Sequence, residues 1–543
     1  MKPLQHAVLA ASLALAACGG GDSGGSPPPG PGPGPAPAAF TLELERTLVP
    51  VGQGAIASLT VTAVRSAGFT GAIELSTSGL PAGVTVPAAT IAANATSADL
   101  AFVAATGAPH SLPTPVTVKG TSGADSATRT ASVTVFGTAG SLDTSFGGGA
   151  VVTPVGLGED FAEAIAVQPD GKIVVAGSTT GVSGTDVAVV RYDRDGALDA
   201  GFGQGGKVVV EAGNGDSKAL AIALQPDGKI VLAGHADGGG SGTDFLVVRL
   251  LSDGQPDPAF GAQGRALVAL GNGVDKARAV AVQPDGKIVV AGDSAQDLSG
   301  QDLAVARLTA GGAPDAAFAG GKGFVTTPVK SGTGSDVAYA VALAAVDGET
   351  RIVVAGGEGD FVVARYTAAG ALDASFAGDG LVSNVFGTSI GSAYALTVQP
   401  DGKVVVAGHA GHDFALLRLD GAGAPDAGFG AAGKIVAPVS ATNWDEATAV
   451  AVQADGRVVA GGWVYSGAGS SADFAVLRFL EDGKPDAGFG AAGRTVTPVA
   501  GAKSDAAHAL ALQPDERVPT TRILLAGGAN GSNNDFAVSR YWP

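Results

Sequence analysis

The chain has 543 residues, 86 of them Gly and 30 Pro, with one Cys, and 50 acidic against 32 basic residues give a net charge of −18. A single Cys excludes an internal disulfide framework and any multi-cysteine zinc site, and without a basic stripe an acidic chain is not expected to bind nucleic acid, whose phosphates need clustered Lys and Arg. A 45% hydrophobic share beside 15% charged residues excludes a charged disordered chain, and the length implies more than one domain.

Lys2 opens a short basic start, followed by an apolar stretch over residues 7–17. That stretch is too short to span a bilayer as a helix and suits the apolar region of a signal peptide. It ends in Leu15, Ala16, Ala17 and Cys18. These residues resemble the lipobox of bacterial lipoproteins. The resemblance implies that residues 1–17 are removed and that Cys18 is acylated. An ordinary signal peptide with a chance Cys is the competing reading. Gly19 follows where Asp would imply inner-membrane retention, so the expected location is the bacterial cell envelope, lipid-anchored at the outer membrane. No later apolar run is long enough to span, so the lipid supplies the attachment. Residues 18–38 are rich in Gly, Ser and Pro and read as a tether, flexible first and then semi-extended polyproline II.

Residues 39–137 alternate apolar and polar residues in short runs, as in Ala57 to Thr62 and Ala131 to Val135, punctuated by Gly, Pro and Asn. This is the pattern of a β-sandwich of about 100 residues. Phe69 to Ile73 followed by Gly79 to Val84 resembles the bacterial immunoglobulin-like modules of surface proteins. The resemblance implies a spacer, with adhesion as the alternative.

The remainder, residues 140–543, is repetitive. The run A-V-Q-P-D-G-K-I-V-V-A-G at 166–177 returns as A-L-Q-P-D-G-K-I-V-L-A-G at 223–234, and variants follow at 283–292, 399–408 and 453–462. An Asp, an apolar run and an Arg follow each copy, and the arginines at 191, 249, 307, 365, 418, 478 and 540 recur about every 58 residues. A third element, L-D-x-x-F-G or a variant, centres on Phe146, Phe202, Phe260, Phe318, Phe376, Phe429 and Phe489. The units resemble the delta-60 repeat of large bacterial proteins, a resemblance that carries no biochemistry with it. Each unit reads as four strands, with an Ala-rich first strand in a crowded inner position and a Pro-Asp-Gly hairpin after it. Seven such units predict a seven-bladed β-propeller, all-β, with a solenoid as the alternative. The first repeat element, at 142–155, is a Phe-Gly turn plus a fourth strand, and the last unit stops after its third. The N-terminal strand is therefore expected to complete the seventh blade and remove two open edges.

Residues that recur in every unit serve the unit. The aspartates at 186, 244, 302, 360, 413, 473 and 535 read as turn caps, and the seven arginines as surface or inter-blade pairs. Asp160, Asp216, Asp275, Asp336, Asp445 and Asp505 lie where the chain enters the inner strand. They could form a ring of oxygen ligands for Ca²⁺ at the channel mouth, the one cofactor the sequence suggests, or simply cap their turns, which is preferred. No catalytic residue is identified, and Cys18 is the expected lipidation site.

Loop lengths choose between the two faces. The third-to-fourth connection is constant, with 11 positions from Arg to Phe in six units, while the second-to-third loops hold 3 to 10 residues. Variation on a rigid scaffold is where binding diverges. On the variable face fall Trp444, Trp463 and Tyr465, beside His409 and His412. Such aromatics suit sugar rings or a partner protein, or pack their own loop. The expectation is a monomeric, non-enzymatic binding or scaffolding lipoprotein that takes a glycan or an envelope protein, with a polysaccharide hydrolase or lyase as the alternative. Non-repeating polar residues clustered at one mouth would discriminate the two.

Overall fold

A computed structural model describes residues 39–543, apart from 182–183, 213–214, 238–241, 272, 298–299, 330–334, 384, 388–389, 441–443, 466–470, 500–503, 516–520 and 531–532. The expected signal peptide, Cys18 and the whole of the tether lie outside these residues. No helix among the described residues is long and apolar enough to cross a membrane.

The first part is two facing sheets. Phe40–Leu44, Ile56–Arg65, Ser97–Ala104 and Val84–Thr85 make one; Leu48–Gly52, Asp125–Phe136, Thr114–Ser122, Ile73–Ser78 and Ala89–Ile91 make the other. Alternation does what it should: Leu59, Val61 and Ala63 point inward while Ser58, Thr60 and Thr62 are less buried. The inward side chains of the first sheet, with Phe40, Leu100 and Phe102, meet Ile73, Val116, Val118, Val133 and Val135 of the second in one core.

The repeats form seven antiparallel four-stranded sheets. In the first of them, Asp160–Val167, Ile173–Thr180, Thr185–Tyr192 and Lys207–Val210 are paired in chain order. These are called the first to fourth strands of a unit. The strands run a few residues further toward the variable loops than the hydrophobic runs suggest. Each first strand packs on the first strand of the next unit, and Asp505–Gln513 of the last packs on Asp160–Val167 of the first, so the sheets form a closed circle. The seventh sheet takes its fourth strand, Ala150–Thr153, from the start of the repeats and pairs it with Asn534–Tyr541.

Neighbouring sheets share cores. Val174, Ala176, Val187 and Val189 of the first unit meet Ile230, Leu232, Leu246 and Val248 of the second. Between each pair sits the Phe of the third repeat element, and all seven of these rings are fully buried. A guanidinium lies over each ring at 4.4–4.8 Å from its centre. The same Arg binds the Asp of that element at 2.7–2.9 Å. In six units it also donates to a carbonyl in the next sheet's turn, as Arg249 does to Ala310 at 2.5 Å and Arg540 to Arg194 at 2.6 Å. The arginines are thus buried inter-sheet pins, and none is a surface pair.

The two parts meet at Trp542, which is buried. The Arg522 guanidinium lies 3.4 Å from its ring centre on one side, and His110 of the sandwich meets it edge-on at 5.1 Å. Gly137 passes so close that a Cβ there would sit 2.4 Å from the indole.

Candidate functional site

One irregularity recurs in every unit. The pairing of the first and second strands slips by one residue between two alanines: 162 and 164, 219 and 221, 277 and 279, 338 and 340, 393 and 395, 447 and 449, 507 and 509. Such a bulge leaves the extra residue outside the ladder and re-aims its side chain. The second strand carries the counterpart. At Gly177, Gly234, Gly292, Gly356, Gly408, Gly462 and Gly527 an added Cβ would lie 1.8–1.9 Å from the carbonyl oxygen of the residue two positions before the extra one. Only Gly admits that approach. The Ala-Gly ending the second-strand motif is therefore the mark of the bulge.

The seven extra residues are Glu163, Leu220, Arg278, Tyr339, Tyr394, Thr448 and His508. They share a structural position, no two neighbours but the tyrosines are alike, and all line one cavity of about 380 Å³ inside the ring of first strands, together with Glu446 and Trp463. Apart from Leu220 these are non-repeating polar residues clustered in one place, the feature that tells the enzyme alternative from a binding module and of which the sequence shows few instances.

Around one arc the rings run in series. Arg278 lies over Tyr339 at 4.9 Å, Tyr339 meets Tyr394 edge-on at 5.0 Å, and Tyr394 stacks on His409 at 5.6 Å. His409 then lies 5.3 Å from Trp444, whose other neighbour, His412, stacks at 4.4 Å. Trp444 Nε1 donates to Glu446 at 2.6 Å, and Glu446 pairs across the strands with Trp463, which Tyr465 meets edge-on at 5.1 Å. Beyond them His508 Nδ1 is 4.0 Å from Glu163.

Burial dominates the electrostatics. It raises Glu446 above the usual carboxylate range, against the opposing pull of Trp444 and His508. It raises both tyrosines, with Glu446 adding to the effect on Tyr394. It lowers His409, whose Nδ1 donates to the Gly411 carbonyl at 3.1 Å. His235 is held down to about 4 by burial and by Lys276, Lys218 and Arg278. Asp293 is raised by burial although it binds Arg278 at 2.5 Å.

The expected aromatic set is therefore largely brought together: His409, His412 and Trp444 form one stack, Trp463 faces the cavity, and Tyr465 supports it. The carboxylate ring is not formed. Asp160, Asp275, Asp336, Asp445 and Asp505 are fully buried and turn away from the channel. Each accepts from backbone N–H groups of its own crossing loop, such as Val155, Leu270, Val329, Val439 and Val499 at 2.6–2.9 Å. Asp216 is out of register, because Ser217 starts that strand, and it is exposed and binds Thr185 N at 2.8 Å. Their oxygens close loops, and among the described residues no group of three or more His, Cys, Asp or Glu is placed to hold a metal. Sequence reasoning missed the bulge residues. The available signal was the Ala-x-Ala triplet with a different x in nearly every unit.

Six segments, residues 168–202, 225–260, 283–318, 346–376, 399–429 and 453–489, match the model of a family described as a domain of unknown function (DUF5122) beta-propeller. The ring of four-stranded sheets is a β-propeller. No curated protein sequence matches the chain. Among solved structures it is similar to endo-arabinase from Bacteroides thetaiotaomicron VPI-5482, at 9% identity over 60% of this chain and 93% of that one, with a TM-score of 0.25. It is similar too to a DUF4784 family protein from Bacteroides caccae ATCC 43185, at 10% identity over 84% and 95%, with a TM-score of 0.24. A protein of unknown function from Porphyromonas gingivalis W83 matches at 10% identity over 38% and 92%, with a TM-score of 0.16. Likeness at this level carries no argument about activity.

Proposed function

We propose that the chain is a seven-bladed propeller of delta-60-type repeats, carried on an immunoglobulin-like spacer and a lipid anchor at Cys18 in a bacterial envelope, and that it binds a saccharide at the channel mouth. The observation that carries this is the convergence of seven bulge residues on one cavity beside a continuous series of aromatic rings. Sugar rings present C–H faces to aromatic planes and hydroxyls to the acids, amides and imidazoles around them.

The test is the double change Trp444→Ala with Trp463→Ala. The parent, screened against a panel of neutral and acidic oligosaccharides, is expected to retain at least one, and the folded double variant to lose it by tenfold or more. A folded variant that keeps every interaction of the parent would remove this face as the site. The anchor is tested separately. Cys18→Ser should abolish acyl labelling and release the protein from membranes, and a variant that still sediments with membrane in detergent-free buffer would refute lipidation.

One observation favours an enzyme as the second reading. Glu163 and Glu446 line the same cavity, and burial raises Glu446, as a general acid requires. Time-dependent shortening of the bound oligosaccharide would establish it.

A further inference from the structure

The cavity is electrically lopsided. In a chain of net charge −18, the second and third units place Lys218, Lys276 and Arg278 on adjacent first strands. Lys218 and Lys276 occupy the register position that Glu446 holds in the sixth unit, one step nearer the mouth than the bulge residues. Each pairs across its sheet, Lys218 with His235 and Lys276 with Asp293, as Glu446 pairs with Trp463.

The carboxylates in and beside the cavity have partners close by. Asp293 is bound to Arg278, Glu446 accepts from Trp444, and Glu163 faces His508. The two ammonium groups differ: neither Lys218 nor Lys276 makes a hydrogen bond or an ion pair with a described residue. Lys218 Nζ lies over the Phe161 ring, 6.0 Å from its centre. Both are half-buried. Their field reaches His235, which is uncharged at neutral pH and whose Nδ1 is buried without a hydrogen-bond partner. Lys218 and Lys276, at the register position of the lining residue Glu446, stand beside Arg278 of the cavity and next to a neutral, unsatisfied imidazole, and although Asp293 draws on both Arg278 and Lys276, this side of the rim is an attractive site for an anion. The adjoining wall is Tyr339 and Tyr394.

We infer that the saccharide is acidic: a pyranose ring packs against Tyr339 and Tyr394 while its anionic substituent meets Lys218, Lys276 and Arg278. This rests on the saccharide-binding reading and narrows it. A cationic ligand is opposed by three like charges there, with Asp293 shared between Arg278 and Lys276, and a neutral sugar leaves the Lys218 ammonium with only an aromatic ring beside it. The substituent is a carboxylate, as in a uronate, or a sulfate ester, and the same cations serve either.

The experiment measures binding of three probes to the full-length protein in detergent: trigalacturonate, a sulfated galactose oligosaccharide, and neutral galactotriose. At least one anionic probe should bind about tenfold or more tightly than galactotriose, with an advantage that shrinks as salt is raised. The double change Lys218→Gln with Lys276→Gln should remove that advantage and leave galactotriose binding unchanged. Neither side chain holds another residue in place, so the variant should melt with the parent. Anionic and neutral probes bound equally, or a folded double variant with full preference for the anion, would overturn the inference and leave saccharide binding standing. Binding of none of the three would overturn both.

Discussion

Asp143→Ala should lower unfolding stability by about 3–5 kcal/mol, the cost of leaving buried charges without their partner. In six sheets the Asp of the Phe-Gly element binds an Arg eight residues earlier, within its own unit. At the seam the same contact joins the two ends of the repeats. Asp143 accepts a hydrogen bond from Arg522 Nε at 2.8 Å and forms an ion pair with Arg540, whose Nε is 2.9 Å away, and all three side chains are buried. Removing it takes the close carboxylate from two buried guanidinium groups, leaving Arg522 with Asp515 at 3.7 Å and Arg540 with Asp195 at 3.6 Å, and loosens Phe146, over which Arg540 lies. Burial alone would raise the Asp143 pKa, but Arg540, Ser145 and Arg522 hold it below the usual 3.8. Its stabilisation is therefore complete above that value and is lost as pH falls through the lower folded value. Asp143→Asn should keep the shape and lose part of the energy. Denaturant midpoints measure both. A midpoint unchanged in Asp143→Ala would mean that the circle does not depend on this seam.

Gly527→Ala and Gly528→Ala should differ by about 3 kcal/mol although the residues are neighbours in one strand. A Cβ at 527 would lie 1.9 Å from the Ala506 carbonyl oxygen, whereas nothing lies within 4 Å of one at 528. Relief at 527 requires prising the first strand from the second, which undoes the bulge that presents His508. At 528 the substitution only stiffens the unfolded chain, worth a few tenths of a kcal/mol in the opposite direction. Thermal unfolding of the pair is the check. Equal stabilities would refute the account of the bulge.

The repeats were legible because seven copies average away local ambiguity: a four-strand unit, its Pro-Asp-Gly hairpin and the missing fourth strand can all be read from their recurrence. The variable face was legible from loop lengths, which placed Trp444 beside His409 and His412. The aspartates at the entry to the first strand show where that reading fails. Two-residue alternation puts Asp160 on the same side as Ala162, which packs between sheets, and leaves Phe161 on the channel side. A carboxylate on the buried side must be hydrogen-bonded, and the nearest donors are in its own loop. Alternation puts Glu163 on the channel side with Phe161, but the bulge was hidden because the break follows Glu163, where Ala164 and Ile165 are both buried, and period counting alone does not mark Glu163 off from other channel-side positions.

That break has a consequence for how such a ring acquires a ligand. Each bulge residue is flanked by alanines and lies outside the buried hydrophobic cores between sheets, touching its neighbours only around the cavity, so its identity is free of the packing rules that the other positions of its strand obey. The propeller behaves as a frame holding seven interchangeable tips. On the saccharide-binding reading proposed above, specificity is set by the seven tips from Glu163 to His508 together with the residues two positions before them, where Lys218, Lys276 and Glu446 stand, and a sister chain with nearly identical repeats would change its ligand at those positions.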